Sequence, residues 1–164
     1  MRHIRCSISR DVANTMAASI VGTRLDYCNA MLYGATEKSL HTLQIVQNKL
    51  DRVVCNVTTR QQHTIELLLK LHWLPIRNRI KFKVATWCYK AYRLHQPRYL
   101  LDSLESYVPC PGLRSDDMDL LTVPRSRTKT VTRRFSSAAP TVWNGLPLNP
   151  FATEFFSTLE FAWR

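Results

Sequence analysis

The chain has 164 residues, a length that suits one compact domain or a helical domain with a small appendage. Hydrophobic residues make up 45% of it and only 4 residues are glycine, which excludes a disordered tail and disfavours an all-β barrel with many tight turns. The 23 Lys and Arg residues outnumber the 12 Asp and Glu residues. The resulting net charge of +11 favours a polyanionic partner, either nucleic acid or an anionic membrane surface.

A first helix is predicted after residue 9. Either Ser9 or Asp11 can cap it, because both side chains accept hydrogen bonds from free amides at a helix start. Val12, Met16 and Ile20 recur at helical spacing and are expected to form its apolar face. The helix is expected to end near residue 22.

The next segment, residues 24–33, ends on Gly34, a good C-terminal stop. Thr36 is expected to cap a third helix, and Glu37 lies favourably in its first turn. Thr64 is expected to cap a short helix over residues 65–71. The apolar positions of the longer helix are Leu40, Leu43, Val46, Leu50 and Val54.

A central helix is predicted from residue 76, because Pro75 suits a helix start. Phe82 and Tyr89 form a second apolar strip on its far side, so this helix is expected to contact two layers. Its cations make one candidate basic surface; a solvated helix face is the simpler interpretation. The apolar face comprises Ile76, Ile80, Val84, Trp87, Cys88 and Ala91, and the flanking cations are Arg77, Arg79, Lys81, Lys83 and Lys90.

The character of the chain changes after this helix. Pro97 permits another short helix, and Pro109, Pro111 and Gly112 then break the chain. We therefore predict a helical domain over residues 1–108 and a C-terminal extension over residues 109–164. Within the extension, residues 120–123 are expected to form a strand.

A second basic surface is predicted within the extension. Residues 124–134 read PRSRTKTVTRR and contain no acid. Arg125, Arg127 and Lys129 alternate with small hydroxyl residues, so an extended chain would place all three on one face. Phosphate contacts of this kind supply most non-specific affinity for nucleic acid. The best candidates for nucleic-acid contact are therefore Arg125, Arg127, Lys129, Arg133 and Arg134, followed by Arg77, Arg79, Lys81 and Lys83.

The end of the chain is rich in aromatic residues. Residues 142–147 predict a short helix or turn, and residues 153–164 predict a last helix. Altogether the pattern predicts a mainly α fold, a helical bundle with a short extended or β basic segment near the C-terminus. Exposed aromatic residues at the end would favour self-association, namely Phe155, Phe156, Phe161 and Trp163.

Six phrases in this order and spacing resemble one family. They are RLDYCNAMLYG (24–34), LQIVQNKLDRVV (43–54), LHWLPIRNRIKFK (71–83), YKAY (89–92), VPRSRTKT (123–130) and FSSAAPTVWNGLP (135–147). Together they are similar to the C-terminal part of the ORF2 polyprotein of LINE-type (non-LTR) retrotransposons. The resemblance implies a thumb-like helical domain and a C-terminal extension that hold template RNA and target DNA. It also implies that the catalytic residues of the reverse transcriptase lie outside these 164 residues.

The final residues depart from that family. Its last helix usually carries several Lys and Arg, whereas FFSTLEFAWR holds Arg164 alone. We therefore expect an altered terminus and a catalytically incomplete fragment of the reverse transcriptase. The alternative is a helical protein-interaction module, or a translated transposon remnant without function and without nucleic-acid binding.

No catalytic constellation is predicted. Asp116 and Asp117 are the only adjacent carboxylates, and they follow a Pro-Cys-Pro-Gly turn rather than the apolar strand that a two-metal site needs. The sequence has no nucleophile elbow and no glycine-rich phosphate loop. We therefore expect no enzyme activity, no cofactor and no small-molecule substrate.

The cysteines and histidines predict neither zinc nor disulfides. They are widely scattered and no CxxC pair occurs, so reduced, mostly buried thiols in an intracellular compartment, nucleus or cytoplasm, are expected. Neither a secretory signal nor a membrane-spanning segment is predicted. Trp73, Trp87, Trp143 and Phe135 could stack on bases, although packing in the core is the simpler interpretation of each.

Overall fold

The computed structural model describes residues 2–57, 63–108 and 119–146. Over these ranges the fold is mainly α, which confirms the predicted class. The strand predicted at residues 120–123 is reduced to one antiparallel bridge, between Leu121 and Ser106. Seven α-helices occur in the described ranges: α1 Arg10–Ala17, α2 Thr23–Asp26, α3 Glu37–Val54, α4 Thr64–Lys70, α5 Ile76–Leu94, α6 Arg98–Leu101 and α7 Phe135–Asn144.

The chain divides into two compact units within α5, residues 1–81 and 82–164. Each unit has helices of its own. The domain boundary predicted between residues 108 and 109 borders a segment outside the described ranges, and it stays a prediction. The last predicted helix, residues 153–164, also lies outside them.

Helix α1 begins as predicted, with Ser9 as its cap: the Ser9 Oγ accepts a hydrogen bond from the Val12 amide. Its predicted apolar face is wrong by one residue. Val12 is 49% exposed and Ile20 is 50% exposed, whereas Ala13 and Ala17 are fully buried. Two alanines let the helix approach its neighbours more closely than larger side chains would, and close contact buries more of the surrounding apolar surface.

Those alanines join a small hydrophobic core in the first unit. Ala13 and Ala17 pack with Val54 at the end of α3 and with Leu71 just after α4. Trp73 packs against this cluster from one side, which fits its predicted role in the core. The segment after α1 continues as a π-helical turn, Ala18–Gly22, into α2.

Helix α3 starts at the predicted cap, because the Thr36 hydroxyl accepts a hydrogen bond from the Ser39 amide. Its buried face is more polar than predicted. Val46 is exposed, whereas Gln47 and Asp51 are buried beside Val54. The buried Gln47 side chain is stabilised by a 2.8 Å hydrogen bond that its Nε2 donates to the Leu74 carbonyl.

The same helix fixes the start of the central helix. The Gln44 Oε1 accepts a 2.9 Å hydrogen bond from the Ile76 amide, which is one of the free amides at the start of α5. Gln44 and Gln47 on α3 therefore hold both sides of Pro75. The spacing of apolar residues could not predict this arrangement, because glutamine side chains on a helix are normally exposed to solvent.

The C-terminal end of α3 is capped by an arginine from the chain's first turn. The buried Arg5 guanidinium donates hydrogen bonds to the carbonyls of Val53, Val54 and Ile8, at 2.6 to 3.1 Å. Cations favour this position because carbonyl oxygens at a helix end carry partial negative charge. One of the chain's 23 cations is therefore used inside the fold.

Helix α4 begins one residue earlier than predicted. His63 occupies the N-cap position and Thr64 is the first helical residue. His72 adopts a left-handed conformation with φ of 54° just after α4. That conformation commonly ends helices.

Helix α5 shows most of the predicted apolar face. Ile76, Ile80, Val84, Cys88 and Ala91 are buried, as predicted. Trp87 is the exception, since 37% of its surface remains exposed, so the core assignment for that residue is wrong.

The last described helix of the second unit is longer than the sequence indicated. Instead of a short turn at residues 142–147, α7 runs from Phe135 to Asn144 and contains Pro140. The helix is buried on most of its circumference; its buried residues are Ser137, Ala138, Ala139, Pro140, Val142 and Trp143.

Asp51 lies fully buried in the first unit, and within the described ranges neither of its carboxylate oxygens has a hydrogen-bond partner. Burial raises the pKa of this carboxyl from 3.8 to about 6, although the neighbouring Arg52 backbone N–H and charge oppose the shift. Between pH 4 and 6 the folded protein therefore holds a proton that the unfolded chain releases. The stabilisation from this group is complete below pH 4 and is lost as the pH rises through 6.

We predict that Asp51→Asn raises the free energy of unfolding at pH 7, because the buried charge is removed. A shift from 3.8 to about 6 corresponds to a gain of about 3 kcal/mol. The gain should shrink steadily as the pH falls toward 4, where the folded carboxyl is protonated and the unfolded carboxyl is about half protonated. Urea unfolding from pH 4 to 8 measures it, with the exposed Asp102→Asn as control. An equal gain at every pH would contradict the assignment.

Candidate nucleic-acid interface

The strongest cationic feature of the second unit is the segment of residues 122–134, called the basic loop below. It connects the Leu121 bridge to the start of α7. All five cations predicted in this segment have exposed side chains: Arg125, Arg127, Lys129, Arg133 and Arg134.

The loop does not follow the extended path that the alternation of residues predicted. Residues 122–126 have no regular structure, a bend follows at 127–128, and a 3-10 turn occupies Val131–Arg133. The Thr128 carbonyl accepts hydrogen bonds from the Val131 and Thr132 amides, at 3.1 and 3.3 Å. These local bonds turn the chain after residue 128, so the segment is not one continuous extended strand, and a shared face for Arg125, Arg127 and Lys129 stays a prediction.

One end of the loop is held by a double hydrogen bond to α7. The Asn144 Oδ1 accepts from the Leu121 amide at 3.0 Å, and the Asn144 Nδ2 donates to the Leu121 carbonyl at 2.8 Å. The Leu121 side chain is itself almost completely buried. Both backbone groups of a buried residue are thus satisfied by one side chain.

A second set of contacts holds the chain two residues earlier. The Trp143 indole N–H donates to the Asp119 carbonyl at 2.9 Å. The Tyr92 hydroxyl donates to the Asp119 carboxylate at 2.6 Å, and Arg93 pairs with the same carboxylate. Tyr92 and Trp143 also meet edge to face, with ring centroids 5.9 Å apart. Burial first, and then the hydrogen bond to Asp119, raises the pKa of Tyr92, which favours the protonated phenol that this contact requires.

These contacts, called the α7 clamp below, close the loop at its base. Asn144 and Trp143 hold the chain on one side of the loop. On the other side the chain enters α7 at Phe135, where the Arg134 carbonyl accepts from the Ala138 amide at 2.8 Å. Both ends of the loop are therefore fixed to the same helix, which lowers the conformational entropy that a binding partner must remove.

Among the described residues, no acid neutralises the charges of the loop. Residues 120–153 contain no Asp or Glu. Within the described ranges, no hydrogen bond or ion pair involves the side chains of the five loop cations. Five like charges on 13 residues repel one another, and bound phosphates would relieve that repulsion.

The four cations predicted on α5 have different environments. Arg79 is only 7% exposed, donates to the Leu74 carbonyl, and forms a 2.8 Å ion pair with Asp26. It therefore supports the fold of the first unit, and its assignment to nucleic-acid contact is wrong. Arg77 is exposed and pairs with Glu37. Lys81 is exposed and Lys83 is half-buried.

The four aromatic candidates for base stacking also differ in their exposure. Trp143 is buried and donates its N–H to the protein, which confirms its place in the core. Trp73 and Phe135 are half-buried, and Trp87 is the most accessible of the four. The carboxylate pair Asp116 and Asp117 lies outside the described ranges.

Metal and thiol chemistry find no support in the described ranges. They contain no group of three or more His, Cys, Asp or Glu side chains able to hold a metal ion. Burial raises the pKa of Cys88 to about 12 and also raises that of Cys55, which disfavours reactive thiolates. Cys6 and Cys28 are exposed, so the expectation of mostly buried cysteines is wrong for these residues.

No described helix is both long and apolar enough to cross a bilayer.

Sequence reasoning missed the residues that hold the loop. Asn144 precedes Gly145 and reads as an ordinary helix end, and Asp119 closes an acidic run. The pairing of Asn144 with a residue 23 positions earlier leaves no periodic signal.

We predict that Asn144→Ala destabilises the protein by about 1 to 3 kcal/mol, since two backbone groups of Leu121 lose their partner. Hydrogen exchange at the Leu121 amide should accelerate together with exchange in the loop. Urea unfolding and amide exchange measure the two effects, with the exposed amide variant Gln96→Ala as control. Unchanged exchange at Leu121 would show that Asn144 does not hold the loop.

Comparison with protein-family models, with curated proteins and with solved structures found no match for this chain.

Proposed function

We propose that this protein binds RNA or DNA without sequence specificity, through the basic loop. The observation that carries the proposal is the combination of five exposed loop cations with the α7 clamp beneath them. A solvated surface that only keeps a protein in solution needs no fixed backbone. A surface that binds phosphates gains affinity when its backbone is fixed beforehand.

The expected affinity is electrostatic. Each phosphate neutralised by Arg or Lys releases condensed counterions, so binding weakens as salt concentration rises. Five contacts would give a log–log slope of about −4.5 on duplex DNA and about −3.5 on a single strand. Contacts to phosphate position a nucleic acid but carry no base information, which is why we propose non-specific binding.

The resemblance to LINE-type retrotransposon polyproteins supports the same proposal. The phrase VPRSRTKT covers the first part of the basic loop, and FSSAAPTVWNGLP covers α7 with the clamp residues Trp143 and Asn144. In that family the corresponding segment is taken to hold template RNA and target DNA. We propose that this chain likewise holds nucleic acid and contributes no catalytic group to a polymerase.

A salt series tests the proposal. We predict that the purified protein binds labelled single-stranded RNA and duplex DNA at 50 mM salt, with slopes near the values above. The triple variant Arg125→Ala, Arg127→Ala, Lys129→Ala should bind about tenfold more weakly or worse, with a slope about 2 to 3 units shallower.

The control removes the same charge from exposed positions in the first unit: Arg24→Ala, Lys38→Ala, Lys49→Ala. It should retain most of the affinity. Equal losses in both triple variants would mean that net charge, and not the loop, attracts the nucleic acid. Absence of binding at low salt by the folded protein would contradict the proposed function outright.

A helical protein-interaction module is the second candidate. On α4, Ile65 and Leu69 lie one turn apart and are 70% and 69% exposed. Large apolar side chains exposed side by side often mark a surface that another protein covers. If this candidate is right, sedimentation should show association at micromolar concentration, and the variant Ile65→Ser, Leu69→Ser should abolish it. A monomer at every concentration would count against self-association through α4.

A further inference from the structure

Trp87 is an exposed tryptophan on the second half of α5, at a position where the sequence predicted a core residue. Its side chain is 37% exposed, and its indole N–H donates no hydrogen bond to another described residue, whereas the N–H of the buried Trp143 does. A large aromatic ring left in water is costly, and such rings are common where a protein contacts a partner. Trp87 is therefore a candidate contact residue.

The neighbours of Trp87 on the exposed side of the helix are two lysines and a leucine. Successive residues of an α-helix are rotated by about 100°, so Lys83, Lys90 and Leu94 all lie within about 60° of Trp87 around the helix axis. Both lysines are half-buried and Leu94 is exposed. The ring therefore lies on a helix surface that is cationic along its length.

The charges near Trp87 along the chain all have one sign. Residues 67–101 contain no Asp or Glu, so every charged side chain of α5 is Lys or Arg. Asp119 pairs with Arg93, but Arg93 lies about 120° from Trp87 around the helix axis. A flat apolar ring with cations three and four residues away suits a ligand that has both flat rings and negative charges, and nucleic acid has both.

The surroundings of Trp87 distinguish it from the other exposed aromatic residues. Three tyrosines are also exposed in the described ranges, and each has an acid within three positions, whereas Trp87 has lysines at that spacing. A carboxylate beside a ring repels the phosphates that accompany a stacked base. The three pairs are Tyr27 with Asp26, Tyr99 with Asp102, and Tyr107 with Glu105.

We propose that Trp87 stacks on an unpaired base of a single-stranded nucleic acid, while Lys83 and Lys90 contact the phosphates on the two sides of that base. Every base has a π face, so the contact tolerates any sequence. In a duplex these faces are covered by the neighbouring base pairs. Trp87 therefore adds affinity for single strands and adds none for duplexes.

This inference deepens the proposed function and rests on it, because one stacked base without further phosphate contacts binds weakly. The basic loop belongs to the same compact unit as Trp87, residues 82–164. The loop cations attract any polyanion, whereas Trp87 discriminates between a single strand and a duplex. The two contributions are separable by experiment, because stacking releases no condensed counterions and leaves the salt dependence unchanged.

The test compares a labelled thymidine oligonucleotide of about 12 nucleotides with a duplex of the same length, on the full chain. We predict that Trp87→Leu binds the single strand about tenfold more weakly and the duplex with unchanged affinity, at an unchanged log–log salt slope. Leucine keeps an apolar side chain on the helix but has no π face. The matched control is Tyr99→Leu, which removes another exposed aromatic ring of the same unit and should bind like the wild type.

A conservative variant and a spectroscopic readout separate stacking from folding. Trp87→Phe keeps a flat ring and should recover most of the single-strand affinity. Stacking on a base quenches indole fluorescence, so the single strand should quench the tryptophan emission of the wild type, and most of that quenching should be lost in Trp87→Phe.

Several results would overturn the stacking assignment and leave the proposed function intact. They are equal single-strand affinity of the wild type and Trp87→Leu, equal losses on the single strand and the duplex, or an equal loss in Tyr99→Leu. Single-strand binding by the wild type without fluorescence quenching would overturn it without any variant. Absence of binding to both oligonucleotides by the folded wild type would overturn the proposed function together with this inference.

Discussion

The double hydrogen bond between the Asn144 side chain and the Leu121 backbone is the contact on which the position of the basic loop depends. It ties the beginning of the basic loop to the helix that the loop later enters. Asp119 strengthens the same junction, because its backbone binds Trp143 and its carboxylate binds Tyr92 and Arg93. Without these contacts only the end of the loop that enters α7 would be held in place. With them both ends of the loop are attached to α7, and the exposed cations lie between two fixed ends.

The cations of the chain have two different environments in the fold: some are buried and bind the protein's own groups, and others are exposed. Arg5 and Arg79 lie inside the first unit, where one caps α3 and the other pairs with Asp26. The loop cations lie outside, with no acid in their own segment. A net charge of +11 therefore overstates the charge free to meet a polyanion, and it does not locate that charge. Each unit charge at a distance of about 10 Å in water repels its neighbour by about 0.4 kcal/mol, so the clamp holds together a segment that its own charges push apart.

Much of the fold was predictable because local signals carry it. Ser9, Thr36 and Pro75 mark helix starts correctly, and the spacing from Ile76 to Ala91 gives the buried face of α5. Prediction from the sequence was wrong where contacts between residues distant in the chain determine which side chains are buried. Small Ala13 and Ala17 are buried in place of larger neighbours, and Gln47 is buried because it meets a distant carbonyl. Among the candidate contacts, the exposed loop cations were predictable from composition. The burial of Arg79 was not, since its partner Asp26 lies 53 residues away.

The central claim is that the nucleic acid contacts a loop held in place by α7. Titration of an isotope-labelled sample with a short single-stranded oligonucleotide, followed residue by residue by NMR, tests it most directly. The account predicts chemical-shift changes at residues 125–134, with Leu121 and Asn144 keeping slow amide exchange throughout. Changes confined to residues outside the basic loop, or loss of the Leu121 protection on binding, would contradict it.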